Sequence, residues 1–511
     1  MNASLCSLLL LALVIGCLPS APPATIAPPA PTATAVFIQT TSATPATTLP
    51  HSPTTAPEPT GGIERCPLVE NGPTITYVIR AELDYALKHL VAHQRVTFRN
   101  PEDAPLDQLV FYVMPNREPG LFHLESIAIP GQTGASAVTL EGVRLTISLP
   151  TLLQPGCRVV LNLDYTLDIP RMGVGPFARQ GYLGFSDQQL NLALWFPAVA
   201  ARAGRQWITP VPVTVGEQTV LPAADFDLCL AVENLPPTLT VVGPGTARHE
   251  SCGWRYQLTG AREIALSLGD NYRQITAPAL DGAVLVELYT FASTSAEAAE
   301  QALHTAVAAL NLFADLYGPY PHDRLIILES DFPDGMEFSG LVYVGSEWFR
   351  SYRGDPASYL TLITAHEVAH QWWYHRVGND QSSHPWLDEA LATYSEYVFL
   401  QESYPDLVDW WWDFRVNSFH PTGFVDSTVY EFQTARDYIN AVYLRGAQLL
   451  HALRQEIGTE AFFAWLQTYA ASMSGQIAAP ANFWATLEPD LFDRTVETRR
   501  AFLRHSQPDV P

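Results

Sequence analysis

Between about residue 66 and residue 275 the chain alternates apolar and polar residues in short runs, among them Thr74–Ile79, Gln94–Phe98, Val143–Leu149 and Val159–Tyr165. Period 2, β-branched residues and Pro/Gly punctuation predict antiparallel sheet. After Leu285–Tyr289 the period lengthens to that of helix. Ala296–Tyr317 is rich in Ala and Leu, with Ser295 placed to cap it and Gly318-Pro319 to stop it. Three more helices are predicted. One opens at Asp355-Pro356 and runs to Val377 before Gly378; one opens at Pro385 and passes Tyr397 to about Glu402; one spans Asp437–Ile457 and ends at Gly458.

Composition sets the scale. The chain has 511 residues, 47% hydrophobic and 16% charged, enough for two or three domains and a sizeable core. Its 52 acidic against 28 basic side chains give a net charge of −24, which argues against nucleic acid as a partner. The first 62 residues have another character. Leu5–Leu18 is apolar but shorter than the about 20 residues of a membrane span, so it reads as the core of an export signal. It ends in Val14-Ile15-Gly16-Cys17, which resembles the lipobox of bacterial lipoproteins and implies lipid on Cys17 and a cell-surface or periplasmic, membrane-anchored protein. An ordinary cleaved signal, leaving a secreted protein, is the alternative. From 18 to 62 Pro and Thr dominate, the composition of an extended stalk. Four cysteines follow: Cys66, Cys157, Cys229 and Cys252. In an exported chain they fit disulfides; Cys229 with Cys252 suits neighbouring strands, and Cys66 with Cys157 follows by exclusion.

The chemistry concentrates in the second half. His366-Glu367-Val368-Ala369-His370 puts two histidines at i and i+4 on one helical face, where both imidazoles can reach one zinc ion, with Glu367 beside the metal's water. A third protein ligand is required, and Glu389, nineteen positions after His370 at the start of the next helix, can supply it.

Together these pieces resemble the gluzincin metallopeptidases, and the flanking Ala365–Trp373, Val377–Asp380 and Trp386–Tyr394 narrow the resemblance to the M1 family of zinc aminopeptidases. The resemblance implies an α+β multidomain architecture: a signal segment (1–17), a stalk (18–62), a β-rich N-terminal domain (63–275) and a thermolysin-like, mainly helical catalytic domain (276–511). It implies one Zn2+ per chain on His366, His370 and Glu389, with Glu367 as general base and acid. Asp334-Gly335-Met336-Glu337-Phe338 is similar to the family's Gly-Ala-Met-Glu-Asn motif. It assigns Glu337, with Gly335 and Met336, to the free amine of a peptide, and Phe338 departs from the family's asparagine. Tyr443 matches the tyrosine that donates to the oxyanion, with Tyr438, one turn earlier and one residue off its face, as a local competitor. A second amine anchor is expected at Asp187, Gln188 or Gln189. Only 68 residues follow Tyr443, so a more open site than in longer family members is expected. The expected activity is removal of N-terminal residues from peptides; an endopeptidase of the same fold and a non-catalytic surface binding protein remain as alternatives. Residue preference and oligomeric state are open.

Overall fold

The computed structural model describes residue 66 and residues 73–131, 137–173 and 182–505. The signal segment, Cys17 and the stalk lie outside the described residues. No helix among the described residues is long and apolar enough to cross a membrane.

The first half is built on a seven-stranded sheet in the order Thr246–Glu250, Gly253–Ala261, Ala224–Glu233, Ile75–Asp84, His89–Arg99, Arg158–Asp168, Phe122–Ala128. Alternation in Ile75–Asp84 sends Ile75, Tyr77, Ile79, Ala81 and Leu83 inward, as period 2 requires. The expectation of purely antiparallel pairing needs one correction. Ile75–Asp84 and Ala224–Glu233, far apart in sequence, pair in parallel, and alternation within a strand carries no information about its partner's direction. Two four-stranded sheets and a two-stranded ribbon, Ala201–Ala203 with Gln206–Ile208, complete this half. Cys66 joins Cys157, and Cys229 joins Cys252 from the turn between Thr246–Glu250 and Gly253–Ala261. Both pairs are the expected ones.

The second half opens on a five-stranded mixed sheet, ordered Arg273–Ala279, Val284–Thr290, Arg324–Ser330, Leu341–Gly345, Gly335–Phe338. The boundary expected near residue 275 falls inside its first strand. The sheet is a shared wall between two cores. Leu325, Ile327, Val342 and Val344 pack with the helices, whereas Ile326, Leu328, Leu341 and Tyr343 pack with the β-rich half. A strand buried on both faces reads as an unbroken apolar run, so this sheet left no alternation to read.

The helices follow the sequence with local changes. Ala296–Tyr317 is capped by Ser295 and closed by Gly318, which adopts φ 100°. The metal helix is shorter than expected: Ser358, not Asp355, caps it, and Tyr359–Ala369 is followed by turns instead of helix to Val377. The break is built by His370, whose Nδ1 bonds the Trp373 carbonyl at 2.9 Å, and by Tyr374 at φ 157°. Pro385–Leu387 forms a 3-10 turn before the helix Glu389–Ser403. The last expected helix starts at Ala435, widens to π-helix over Ile439–Leu444 and continues as Arg445–Ile457 to Gly458.

Candidate active site

A cleft of about 280 Å³ lies where the metal helix, the edge strand Gly335–Phe338, the helix Glu389–Ser403 and the π-helical turn meet. His366, Glu367, His370, Glu389, Glu337, Gly335 and Tyr443 all line it. Short-range rules explain how each arrives. The i, i+4 spacing stacks His366 over His370, ring centroids 4.8 Å apart. Asp388 caps the next helix by accepting from the Glu389 amide at 2.8 Å, which fixes Glu389 in the first turn. On the edge strand, alternation turns Gly335 and Glu337 to the cleft and Met336 and Phe338 to the opposite core. Met336 therefore does not line the cleft. Phe338, in place of the family's asparagine, packs on Tyr182 and Tyr343. Gln371 locks this strand to the end of the metal helix, accepting from the Gly340 amide at 2.9 Å and donating to the Phe338 carbonyl at 3.0 Å.

The ligand atoms converge. Nε2 of His370 lies 3.1 Å from Nε2 of His366, and Oε2 of Glu389 lies 3.2 Å and 3.5 Å from the two nitrogens. Both Nδ1 atoms are engaged elsewhere, on Glu396 at 3.0 Å and on the Trp373 carbonyl, so both Nε2 atoms are aimed at one point. Two imidazole nitrogens and a carboxylate oxygen facing each other need a cation between them, and this donor set suits zinc. A second cluster, Glu337, Glu367 and His370, could also gather on an ion. It offers one nitrogen and no bonded support for a second, so the first set is the better zinc site. Glu396 anchors the arrangement from behind, accepting from His366, from Trp411 at 3.1 Å and from Arg415 at 3.0 Å and 2.9 Å.

Electrostatics point the same way. Burial works against the charge on His366, but Glu389 and Glu396 outweigh it and hold the imidazole up to about 9. Burial likewise opposes the charge on His370, and Glu337 and Glu389 overcome it to raise its pKa. Burial pushes Glu396 up, yet Arg415 and His366 hold it down to about 2. The site attracts positive charge, as a metal site should. Glu367 is raised by burial, and its Oε2 has no partner among the described residues. It is aimed into the cleft.

Tyr443 stacks on His366, ring centroids 5.9 Å apart and planes within 1°. Tyr438 stands beside it at 5.4 Å and also lines the cleft, with its hydroxyl buried and unpartnered. The expectation that Tyr438 lies off this face assumed α-helical spacing. The π-helical turn between the two brings residues five apart onto one side.

The three residues expected to offer a second amine anchor are engaged away from the cleft. Asp187 pairs with Arg171 at 2.8 Å, Gln188 bonds Asp331, and Gln189 is buried against Ser267, Tyr272 and Ser330. None of the three lines the cleft. Glu217 does, from the loop after Val215, with Oε2 buried and unpartnered. A Cβ on Gly216 would strike Tyr438 and Val429, so this glycine allows the loop to approach. Glu217 is the lone charge between Arg205 and Asp225, a faint signal in a stretch without period. Gln381 was also missed. Its Nε2 bridges Glu337 at 2.8 Å and Asp388 at 3.0 Å, holding apart two carboxyl groups that burial pushes up.

Comparison with known proteins agrees with this geometry. The family model described as the peptidase family M1 domain matches residues 301–498. Aminopeptidase M1-A of Oryza sativa subsp. japonica is 29% identical over 220 residues, covering 40% of this chain and 25% of the rice protein. Endoplasmic reticulum aminopeptidase 2 of Homo sapiens is 28% identical over 189 residues, 34% of this chain and 20% of the human one. The chain thus spans a quarter or less of the length of these curated relatives. Among solved structures, the M1 zinc metallopeptidase of Deinococcus radiodurans superposes with a TM-score of 0.60 at 19% identity, covering 87% of this chain and 96% of that one. A mutant of the same protein bound to a Tyr-Ser-Ala substrate superposes at 0.61. The shared fold takes in the β-rich half as well as the helical one. The chain therefore carries a peptidase family M1 domain over residues 301–498, and both cleft histidines, Glu337, Glu367, Glu389 and Tyr443 lie within it.

Proposed function

We propose that the protein is a zinc-dependent aminopeptidase. The observation that carries this reading is a pair of carboxyl groups, the buried Glu337 and the half-buried Glu217 with its Oε2 shut away from solvent and unpartnered, beside a His366, His370, Glu389 ligand set in one cleft. Charges so buried require a partner, and a peptide's terminal ammonium is one that fits. Zinc on the ligand set would supply a Lewis acid that acidifies a water and polarises the scissile carbonyl. The protein's own groups do the rest. Glu337 and Glu217 hold the ammonium so that the first peptide bond reaches the ligand set. Glu367, with one free oxygen, takes the proton of the attacking water and returns it to the departing amine. Tyr443 donates to the oxygen of the carbonyl as charge develops there, with Tyr438 placed to assist.

A peptide with a free amine and its N-acetylated twin test the reading. The free peptide should be cleaved from its N-terminus in a chelator-sensitive, zinc-restored reaction, and equal cleavage of the acetylated twin would sink the claim. The proposal extends to an exported, lipid-anchored protein modified at Cys17. Its support is the Val14–Cys17 sequence and two disulfides, which belong to oxidising compartments. Intact-mass analysis of membrane fractions, before and after Cys17→Ser, checks it.

A further inference from the structure

The cleft has an acidic end and an end lined by two arginines. Its lining follows one face of the metal helix through Tyr359, Ile363, His366, Glu367 and His370. Glu217, Glu337 and Glu389 gather at the His370 end. The Tyr359 end carries two arginines: Arg415 lies 5.9 Å from the Tyr359 ring, and burial raises the Tyr359 hydroxyl's pKa against the pull of Arg415 and Arg436. Arg415 is committed to Glu396. Arg436 is not committed. It is exposed, lines the cleft, rests on the Phe419 ring at 4.3 Å, and has no ion pair or hydrogen bond among the described residues. Asp334, exposed, also lines this end and makes no ion pair with Arg436 among the described residues.

We propose that Arg436, at the same end of the cleft as Tyr359, binds a carboxylate on the leaving side of the scissile bond, so that the preferred substrates are short peptides held at both termini. The inference rests on the aminopeptidase reading. Length follows from the helix: His366 to Tyr359 is seven residues, about 10 Å at about 1.5 Å per residue. An extended peptide covers that in two to three residues at about 3.3 Å each. With the one residue on the amine side, the best fit is a tri- or tetrapeptide whose C-terminal carboxylate meets Arg436. An acidic side chain at the same distance offers the same chemistry from a longer peptide.

The test uses alanine peptides of two to six residues, each as free acid and C-terminal amide, together with Ala-Ala-Glu amide. In the wild type the ratio of kcat/KM for acid over amide should reach about tenfold at three or four residues and fall toward one at six, with the difference carried by KM. The ratio should collapse in Arg436→Ala and survive in large part in Arg436→Lys. A wild-type ratio near one at every length, or a ratio undiminished in Arg436→Ala, overturns the proposal. Preference for Ala-Ala-Glu amide without preference for the free acids overturns the short-peptide class. N-acetylated acids cleaved as fast as free ones would strike the aminopeptidase reading instead, and the acid-to-amide ratio would still be readable.

Discussion

Glu367 and Glu217 each hold one unpartnered oxygen in a cleft where Glu337 and Glu389 are hydrogen-bonded. For Glu367 that oxygen is a proton acceptor in waiting, and the carboxyl is not needed to hold the metal. Glu367→Gln should therefore bind zinc at one equivalent while kcat falls by about 10²–10⁴; metal analysis and kinetics on one sample check both halves. Spacing alone placed His366, His370, Glu367 and Glu389, because helical geometry and one short loop fix their relation. Glu217 was not legible: a charge in an aperiodic loop acquires meaning from what the fold sets opposite it. Tyr438 was misplaced for a different reason, since nothing in its local pattern announces a π-helical turn.

At the scale of elements, the helices meet through small residues that the sequence did not mark as contacts. Gly446, on Arg445–Ile457, lies against Ala390, one residue after the ligand Glu389, and a Cβ there would strike the Ala390 Cβ. Two methyl groups fixed to helical backbone cannot step aside. Gly446→Ala should lower stability by about 1–3 kcal/mol and weaken zinc affinity, because the helix that must shift carries Glu389; thermal unfolding and metal competition measure the two effects. Glu329, on Arg324–Ser330, accepts from the Phe291 amide at 2.9 Å and the Thr294 hydroxyl at 2.6 Å, and burial pushes it up to about 7 from 4.5. Native Glu329 thus keeps a proton that the unfolded chain has lost between about 4.5 and 7, so its contribution to stability falls as pH rises through that window. In Glu329→Gln a single amide oxygen can accept both bonds without ionising. The melting temperature of this variant should gain on the wild type from pH 5 to pH 8, and a constant difference would remove Glu329 as the cause.

At the scale of the molecule, the two halves share the mixed sheet and a buried arginine. Arg262, 2% exposed, sits at the end of the β-rich half with no carboxylate on its guanidinium among the described residues. It donates instead to the carbonyls of Leu221, Tyr374, His375, Arg376 and Gln476, tying the β-rich half, the turn after the metal helix and the segment before Ile477-Ala478. Arg262→Met fills similar space but leaves those carbonyls buried without donors. It should cost about 3–5 kcal/mol and separate the unfolding of the two halves into distinct calorimetric transitions.

Period and spacing by themselves determined the β-rich first half, the approximate positions of the helices and the pairing of His366 with His370, because each is set by contacts within a turn or two of chain. The direction of the pairing between Ile75–Asp84 and Ala224–Glu233, the sheet shared by both cores, the arrival of Glu217 in the cleft with Glu337 and the arginine-lined end at Arg436 were decided by tertiary structure alone. They depend on residues brought together from tens to more than a hundred positions apart, and local sequence carries no record of such neighbours.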